Sequence, residues 1–253
     1  SCKSYNIHNY GKNMAEVNEV KKELKDYKFN VDHMQKAGLF FGHKTSSTHP
    51  RMKKYISGIK NNVHIIDLEK TAEEMRKTMN FIAGEMSEGK TLLLVGTKIQ
   101  TKKLVKEMGK EIGIPYISER WLGGTFTNFD TIKKRINYFK TLEAKKVSGE
   151  LEKYTKKERA KMDKELKDLE TKFGGIKNME KLPDLIFVLD MKKDILAIKE
   201  AKMRGINVVA IADTNMDPDQ ADYIIPANDD AILSIKYILE QLKEVILENR
   251  PKL

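Results

Sequence analysis

The chain has 253 residues, 40% of them apolar and 33% charged, which is enough for one large domain with its own hydrophobic core. Its 47 basic and 37 acidic side chains give a formal net charge of +10, and this balance favours a polyanionic partner, in the first place a nucleic acid. The single cysteine, Cys2, excludes an internal disulfide and a cysteine-based metal site, and no apolar run reaches the roughly 18 residues that a membrane span needs. We therefore expect a cytoplasmic protein.

The charge is unevenly distributed along the chain. Residues 1–128 carry 22 basic and 14 acidic side chains, and residues 129–178 carry 15 and 9. Residues 213–253 instead carry 4 basic and 9 acidic side chains. Because phosphate attracts the basic portion, we expect the acidic carboxyl-terminal part to face away from such a partner.

Residues 1–30 are predicted to form an amino-terminal extension, partly disordered, with a polar helix beginning at Met14. After it, short apolar runs rich in β-branched residues predict buried strands of a parallel sheet. These runs are VHII (63–66), TLLLVG (91–96), IPYI (114–117), LIFVLD (185–190), NVVAIAD (207–213) and YIIP (223–226). Helical periodicity predicts helices near 68–87, 98–112, 194–204 and 229–248. The alternation indicates a doubly wound α/β sheet domain over 31–128 and 179–253.

Residues 129–178 interrupt this alternation. Apolar residues recur there at heptad spacing in two stretches, Phe129, Ile132, Ile136, Phe139 and Leu142, and then Met162, Leu166, Leu169 and Phe173. Thr155 and Glu158 fit a capping box at the start of the second stretch, and Gly174-Gly175 end it. The pattern predicts an antiparallel helical hairpin, a short coiled coil, that protrudes from the sheet domain.

GEMSEGKT, residues 84–91, fits the phosphate-loop pattern G-x-x-x-x-G-K-S/T at every fixed position. A working phosphate loop follows a strand and opens a helix, so that the helix amino terminus faces the phosphates. Here the helical pattern comes first and the strand TLLLVG follows. We therefore interpret Gly89 as the end of a helix and Lys90 as the start of a turn, not as nucleotide ligands.

Two further patterns also fail as ligand sites. DTNMDPD (213–219) imitates the start of a calcium loop, but Pro218 replaces the turning glycine and Ile224 the bidentate glutamate, so a polar turn is predicted. The histidines show no metal or catalytic spacing with a carboxylate, and His64 is expected to be a packed strand residue. We predict neither a metal nor a cofactor.

Three basic segments remain as candidates for contact with phosphates and bases. They are GHKTSSTHPRMKKYI (42–56), GTKIQTKKLVK (96–106), which follows a strand at the ligand-binding end of the sheet, and SERWLGGTFTNFDTIKKR (118–135). The predicted phosphate contacts are Lys44, Arg51, Lys53, Lys54, Lys98, Lys102, Lys103, Arg120, Lys133, Lys134 and Arg135. His43, Trp121 and Asn128 are expected to add stacking or base-edge contacts. For Trp121, an anchor in the core is an equally weighted alternative.

A series of segments resembles the bacterial-type family of small-subunit ribosomal protein S-two. In chain order from about residue 31 to 248 they are AGLFFGH, HIIDLEKT, LLLVGTK, ERWLGGTFTNFDTI, FGGIKNM, LPDLIFVLD, NVVAIADTNMDPD and YIIPANDDAI. The resemblance implies a flavodoxin-like domain with a protruding helical hairpin and no catalysis. It also implies a place between head and body of the small subunit, bound to small-subunit rRNA and helping to hold ribosomal protein S-one. The chain departs from the family at SSTHPRM, where Ser46, Ser47 and Thr48 remove expected RNA contacts.

The expected function is therefore that of a structural, ribosome-bound rRNA-binding protein and not an enzyme. Its expected partners are small-subunit rRNA and other small-subunit proteins, including S-one, with no membrane and no small-molecule substrate. The alternative is an α/β enzyme that binds a nucleotide or sugar phosphate at the same end of the sheet, for which fold analogy is the only argument.

Overall fold

The computed structural model describes residues 27–251 of the chain. Cys2, His8 and almost all of the predicted extension, including the polar helix from Met14, lie outside the described residues. Among the helices that are described, none combines the length and the apolar character needed to cross a membrane.

The described chain begins with a short helix and a small antiparallel sheet. Helix α1 (Val31–Lys36) follows Asn30, whose side chain accepts hydrogen bonds from the backbone N–H groups of Asp32 and His33. The strands that follow are β1 (Phe41–Lys44), β2 (Ile56–Lys60) and β3 (Val63–Ile66). They pair in the order β1-β3-β2, and both pairings are antiparallel.

The prediction that VHII belongs to the parallel sheet is wrong, because this run is β3, the central strand of the antiparallel sheet. Asn61 and Asn62 have φ angles of 51° and 61°, so they form the two-residue turn that returns the chain beside β2. Strands β1 and β2 lie in a part of the chain for which the sequence predicts no strand. Their side chains are mostly exposed, so they carry no apolar signal of a strand.

The main sheet contains five strands, and all its pairings are parallel. The strands are β4 (Leu92–Val95), β5 (Tyr116–Ile117), β6 (Leu185–Val188), β7 (Asn207–Ala212) and β8 (Tyr223–Pro226). Their order, β5-β4-β6-β7-β8, is the flavodoxin-like order 2-1-3-4-5 when it is counted from β4. The predicted doubly wound, flavodoxin-like sheet is thus confirmed, and its topological switch point lies between β4 and β6.

Helices cover both faces of the main sheet. Successive strand residues point to opposite faces, so Leu92 and Leu94 pack in one apolar cluster while Leu93 and Val95 pack in another. The helices on the first face are α2 (Leu68–Ser87), α3 (Lys102–Ile112) and α7 (Ile232–Asn249). Helix α6 (Ile195–Met203) contributes to the second cluster. All four helices are predicted from the sequence, although α3 and α7 begin later than expected.

The segment GEMSEGKT has no phosphate-loop geometry, as predicted. Helix α2 ends at Ser87, and β4 begins at Leu92. Gly89 has a φ of 73°, the left-handed conformation in which glycine commonly follows a helix. The Lys90 ammonium lies 2.9 Å from a Glu85 carboxylate oxygen and 3.1 Å from one of Glu88, so its charge is used locally.

Two consecutive helices, α4 (Phe129–Val147) and α5 (Lys156–Phe173), form the interruption in the α/β alternation. The predicted capping box at the start of α5 is confirmed, because the Thr155 hydroxyl accepts from the Glu158 N–H while the Glu158 carboxylate accepts from the Thr155 N–H. The predicted seam residues are buried, apart from Met162 and Leu166, which are half-buried. The seam joins the apolar cluster on the second face of the sheet.

Candidate nucleic-acid interface

The first basic segment is shaped by a 3-10 turn over Pro50–Tyr55. Met52 and Tyr55 are buried in the core, and this directs Lys53 and Lys54 to the surface. The Lys54 ammonium lies 4.8 Å from the centroid of the Tyr55 ring. Lys44, the last residue of β1, is also exposed. These three lysines are therefore accessible to a polyanion.

Arg51 is bound within the chain. Its guanidinium donates to both carboxylate oxygens of Asp217 at 3.0 Å, and it lies 2.9 Å from an oxygen of Asp219. Both acids belong to DTNMDPD, where Asp217 caps a 3-10 turn over Pro218–Gln220. The predicted polar turn is thus confirmed. Since Arg51 is half-exposed, a phosphate reaching it would compete with these two carboxylates.

In the second basic segment, the three lysines have different environments. Lys102, at the start of α3, lies 2.5 Å from a Glu119 carboxylate oxygen. Lys103 is 84% exposed, and its nearest carboxylate oxygen, on Glu107, is as far as 3.8 Å away, so its ammonium group is open to solvent. Lys98 is mostly buried and bound to three aspartates, which are described below.

The third basic segment carries its charge on the first turns of α4. Lys133, Lys134 and Arg135 are all exposed, and Lys133 donates to the backbone oxygen of Glu180. Asn128, which precedes α4, is exposed and accepts a hydrogen bond from the Thr131 hydroxyl. Arg120 lies in the same segment but precedes α4, and its side chain is also exposed.

Trp121 is an anchor of the core, the second of the two roles that the sequence allows. Its side chain is 7% exposed, and its ring meets Phe126 edge-on with the centroids 4.8 Å apart. The indole N–H donates to the Glu200 carboxylate at 3.1 Å. A ring enclosed in this way offers no face to a base, so we do not retain the expected stacking contact.

The carboxyl edge of the main sheet is acidic. Asp190 follows β6, Asp213 follows β7, and Asp229 and Asp230 follow β8. The first three are almost completely buried. The Lys98 ammonium lies among them, at 2.9 Å from Asp190, 3.2 Å from Asp229 and 2.6 Å from Asp230. A single lysine therefore compensates several carboxylates at the topological switch point.

The pKa values of this cluster follow from burial and mutual repulsion. Burial, together with the neighbouring charges of Asp190 and Asp213, raises the pKa of Asp229 to about 7. Burial by itself lowers the pKa of Lys98, but the hydrogen bonds to Asp230 and Asp190 outweigh it, so the net pKa is raised. The hydrogen bond from Lys98 lowers the pKa of Asp230.

His43 belongs to the same cluster, which the histidine spacing does not reveal. Its Nδ1 lies 3.1 Å from Asp213 and its Nε2 lies 3.6 Å from Asp230, and the hydrogen bond to Asp213 raises its pKa. His43, Asp229 and Asp230 place ligand atoms within 4.8 Å of one another, a donor set able to hold a divalent cation. The signal that was missed is an aspartate within three residues of the end of each of three parallel strands. His64, in contrast, is buried in β3 against Thr48, as predicted.

The acidic edge argues against the enzyme alternative. Doubly wound enzymes bind phosphorylated ligands at this edge, where amide groups and cations neutralise the phosphate. Here Asp190, Asp213 and Asp229 would repel a phosphate, and Lys98 is already bound to carboxylates. Fold and site therefore define a flavodoxin-like α/β protein with exposed basic side chains and a sheet edge unsuited to nucleotides.

Comparison with known proteins agrees with this class. Residues 34–249 match the family described as Ribosomal protein S2, so the chain belongs to that family of structural, non-enzymatic proteins. The chain is 46% identical over 212 residues to small ribosomal subunit protein uS2 of Geotalea uraniireducens, covering 84% of this chain and 83% of that protein. It is 46% identical over 226 residues to the uS2 protein of Chlorobaculum tepidum, covering 88% and 90%. The resemblance seen in the sequence motifs is thereby confirmed.

Proposed function

We propose that this chain is a structural constituent of the small ribosomal subunit that binds small-subunit rRNA through exposed basic side chains. The relatives are named as small-subunit proteins, and this supports the same assembly for a chain that matches them over more than four fifths of its length. The observation that carries the proposal is a set of exposed cations that have no carboxylate of residues 27–251 within ion-pair distance: Lys44, Lys53, Lys54, Arg120, Lys133, Lys134 and Arg135.

The remaining predicted contacts contribute less in this proposal. Lys102 and Arg51 each have a carboxylate partner, so an rRNA phosphate at either residue would have to displace it or share the cation. Lys98 serves the acidic cluster. His43 faces Asp213 and Asp230 and is reserved for the same cluster. Asn128 is exposed beside the basic turns of α4 and is placed to add a hydrogen bond to RNA.

The acidic carboxyl-terminal part supports a second aspect of the proposal, namely the orientation of the protein. The basic surface faces rRNA, and the acidic carboxyl-terminal part faces protein partners. Residues 213–253 carry 4 basic and 9 acidic side chains, so rRNA phosphates are repelled from them. Ile232 and Leu233, the first two residues of α7, are 51% and 63% exposed, an apolar surface that suits a protein contact. We propose a position between head and body of the subunit, with this side supporting the attachment of ribosomal protein S-one.

The salt dependence of rRNA binding tests the main proposal. The intact protein, a Lys53→Ala/Lys134→Ala variant and a Lys236→Ala control on α7 are titrated with small-subunit rRNA at several salt concentrations. Each lost phosphate contact should reduce the slope of log K against log salt by about 0.7 to 0.9. We expect the double variant to lose up to two such steps and the control none. An affinity that does not respond to salt, or a double variant with the slope of the intact protein, would contradict these contacts.

A further inference from the structure

The loop that leads into α4 is held by hydrogen bonds to a single buried carboxylate. Glu200, on α6, is 4% exposed. One of its oxygens accepts from the Trp121 indole N–H at 3.1 Å and from the Gly124 N–H at 2.8 Å. The other accepts from the Phe126 N–H at 2.9 Å and from the N–H and hydroxyl of Thr127 at 3.1 and 3.2 Å. Five donors from residues 121–127 thus converge on one side chain.

The loop is folded so that its amides point inward. Gly124 has a φ of 88°, a conformation that favours glycine, and this turns its N–H toward Glu200. Converging backbone N–H groups of this kind form an anion-binding concavity, which in other proteins holds phosphate. Here Glu200 fills the concavity. The second glycine of RWLGG, Gly124, therefore serves an internal anion, and its N–H group is not one that would meet RNA.

Glu200 carries its charge at neutral pH. Burial raises its pKa, but hydrogen bonds from the Phe126 N–H, the Trp121 indole and the Gly124 and Thr127 N–H groups outweigh burial, so the net pKa is below its ordinary value. A group with a lowered folded-state pKa stabilises the fold above its unfolded pKa, and that stabilisation is lost only as the pH falls through the folded value. The loop is consequently held throughout the neutral range.

The side chains proposed to meet RNA flank this loop. Arg120 precedes Trp121, and Asn128 follows Thr127 and donates its N–H to the Gly124 backbone oxygen. Helix α4, with Lys133, Lys134 and Arg135, begins at the next residue. The bonds to Glu200 therefore determine where Arg120 and Asn128 point and how the start of α4 is held against α6.

We propose that Glu200 is a positioning residue for RNA binding, which fixes the geometry of Arg120, Asn128 and the first turns of α4 without contacting RNA itself. This inference rests on the proposed rRNA-binding function. Electrostatics alone predicts the opposite consequence for its removal, because the loss of one negative charge from the protein should tighten its binding to RNA slightly. The two explanations thus differ in the sign of the effect.

The test compares Glu200→Gln with a Glu150→Gln control in the full chain. Both changes remove one negative charge with almost no change of shape, but Glu150 is exposed in the connection between α4 and α5. In Glu200→Gln an amide NH₂ replaces one carboxylate oxygen and faces N–H groups, so the loop loses acceptors. Affinity for small-subunit rRNA is measured at a temperature at which each variant is fully folded by its own thermal unfolding curve. Amide hydrogen exchange measures how well the backbone N–H groups of the loop are protected from solvent.

We expect Glu200→Gln to bind rRNA about tenfold more weakly, the loss typical of one or two specific contacts, and Glu150→Gln to bind as tightly as the intact protein or slightly more tightly. Exchange should accelerate at Gly124, Phe126 and Thr127 and stay unchanged at β6 and β7. Glu200→Asp, which keeps the charge but is shorter, should lie between the two in affinity. Because Arg120→Ala has already removed one contact that Glu200 positions, Glu200→Gln should reduce the affinity less when Arg120→Ala is present.

Each outcome is decisive. If Glu200→Gln is folded, exchanges faster in the loop and still binds rRNA with the affinity of the intact protein, the positioning role is wrong while the proposed function stands. Positioning through Arg120 would also be contradicted if Glu200→Gln lowered the affinity by the same factor in the Arg120→Ala protein as in the intact protein. If the intact protein itself fails to bind rRNA in a salt-dependent manner, the proposed function fails first. Should Glu200→Gln be unfolded, Glu200→Asp is compared directly with the intact protein, because the charge is kept: weaker rRNA binding supports the positioning role, and unchanged affinity with faster exchange in the loop contradicts it.

Discussion

At the scale of single residues, the acidic cluster shows how neighbouring side chains of one type acquire opposite properties. Asp229 and Asp230 are adjacent in sequence and both contact Lys98. Asp229 is buried beside Asp190 and Asp213, whose charges oppose its ionisation, whereas Asp230 is exposed and mainly experiences the lysine. Burial and like-charge neighbours therefore decide which of the two carboxylates costs stability when it ionises.

The pair yields a prediction about pH. The pKa of Asp229 is about 7 in the fold, so between about pH 4 and pH 7 the folded state retains a proton that the unfolded chain has released, and stability falls as the pH rises through this range. Asp229→Asn removes this loss. Relative to the intact protein, its free energy of unfolding should increase from pH 5 to pH 8 by on the order of 1 to 4 kcal/mol, measured by urea denaturation.

Asp230→Asn is the matched control, with the opposite sign. The pKa of Asp230 is lowered by Lys98, so its contribution is present above its unfolded pKa and lost as the pH falls. Its removal should therefore weaken the fold more at pH 8 than at pH 4. Parallel behaviour of the two variants would refute the assignment.

Trp121 gives a second prediction at this scale. Because the indole is buried against Phe126 and bound to Glu200, Trp121→Ala should lower the free energy of unfolding by about 3 to 5 kcal/mol in the absence of RNA. Trp121→Phe keeps an aromatic ring but loses the donor, and should cost less. Chemical denaturation of the free protein measures both. Unchanged stability of Trp121→Ala, together with weaker rRNA binding, would instead restore the stacking role.

At the scale of elements, the helix pair α4–α5 combines a core and a surface function. Near the sheet, Ile132, Ile136 and Phe173 pack in the same apolar cluster as Leu93 and Val95 of β4. Toward the connection between the helices, residues 144–160 are exposed except for Leu151. The near part should therefore stabilise the fold, while the far part mainly adds charge.

Truncation separates these two parts. Replacing residues 144–160 with a short Gly-Ser linker removes one buried side chain and should preserve most of the free energy of unfolding. Deleting 131–175 removes the seam as well, so it should destabilise the protein while the sheet domain still unfolds cooperatively. Both truncations remove net positive charge and should bind rRNA more weakly. Loss of cooperative unfolding in the larger deletion would show that 129–178 is not a separate unit, contrary to the predicted domain boundary.

At the scale of the whole molecule, the fold distinguishes accessible cations from cations that are bound to carboxylates, a distinction that the sequence does not show. Accessible cations such as Lys53 and Lys134 lie on the 3-10 turn before β2 and on α4, whereas compensated ones such as Lys98 and Lys90 lie at the carboxyl edge of the main sheet and in the turn between α2 and β4. Net charge is therefore a poor guide to the proposed RNA-binding surface, since Lys98 and Lys90 are already bound to carboxylates. An exposed cation without a carboxylate partner is the better criterion.

This separation predicts a footprint. Lysine acetylation of the free protein and of assembled small subunits, followed by mass spectrometry, should show protection of Lys53 and Lys134 on assembly. Lys236 on α7, which is also exposed in the free protein, should stay reactive because the proposed orientation has the acidic carboxyl-terminal part facing away from rRNA. Protection of Lys236 without protection of Lys134 would reverse the proposed orientation.

The sequence by itself determined the parallel sheet, its four flanking helices and the ends of several elements. These features depend on local information: continuous apolar runs, helical periodicity, the Thr155–Glu158 capping box and a glycine after α2. The motif series also identified the family, because it preserves the order and spacing of many side chains. The small antiparallel sheet escaped prediction, since β1 and β2 are exposed and carry no apolar alternation.

Only the tertiary structure decided which candidate side chains are available. Lys98 and Lys53 are equivalent in the sequence, yet one is enclosed by aspartates that follow β6 and β8 while the other is exposed. Glu200 meets Trp121 across 79 positions of the chain, a pairing that no local pattern records. Electrostatic compensation and buried hydrogen bonds depend on distances between residues remote in sequence, and those distances are set only when the strands are brought side by side.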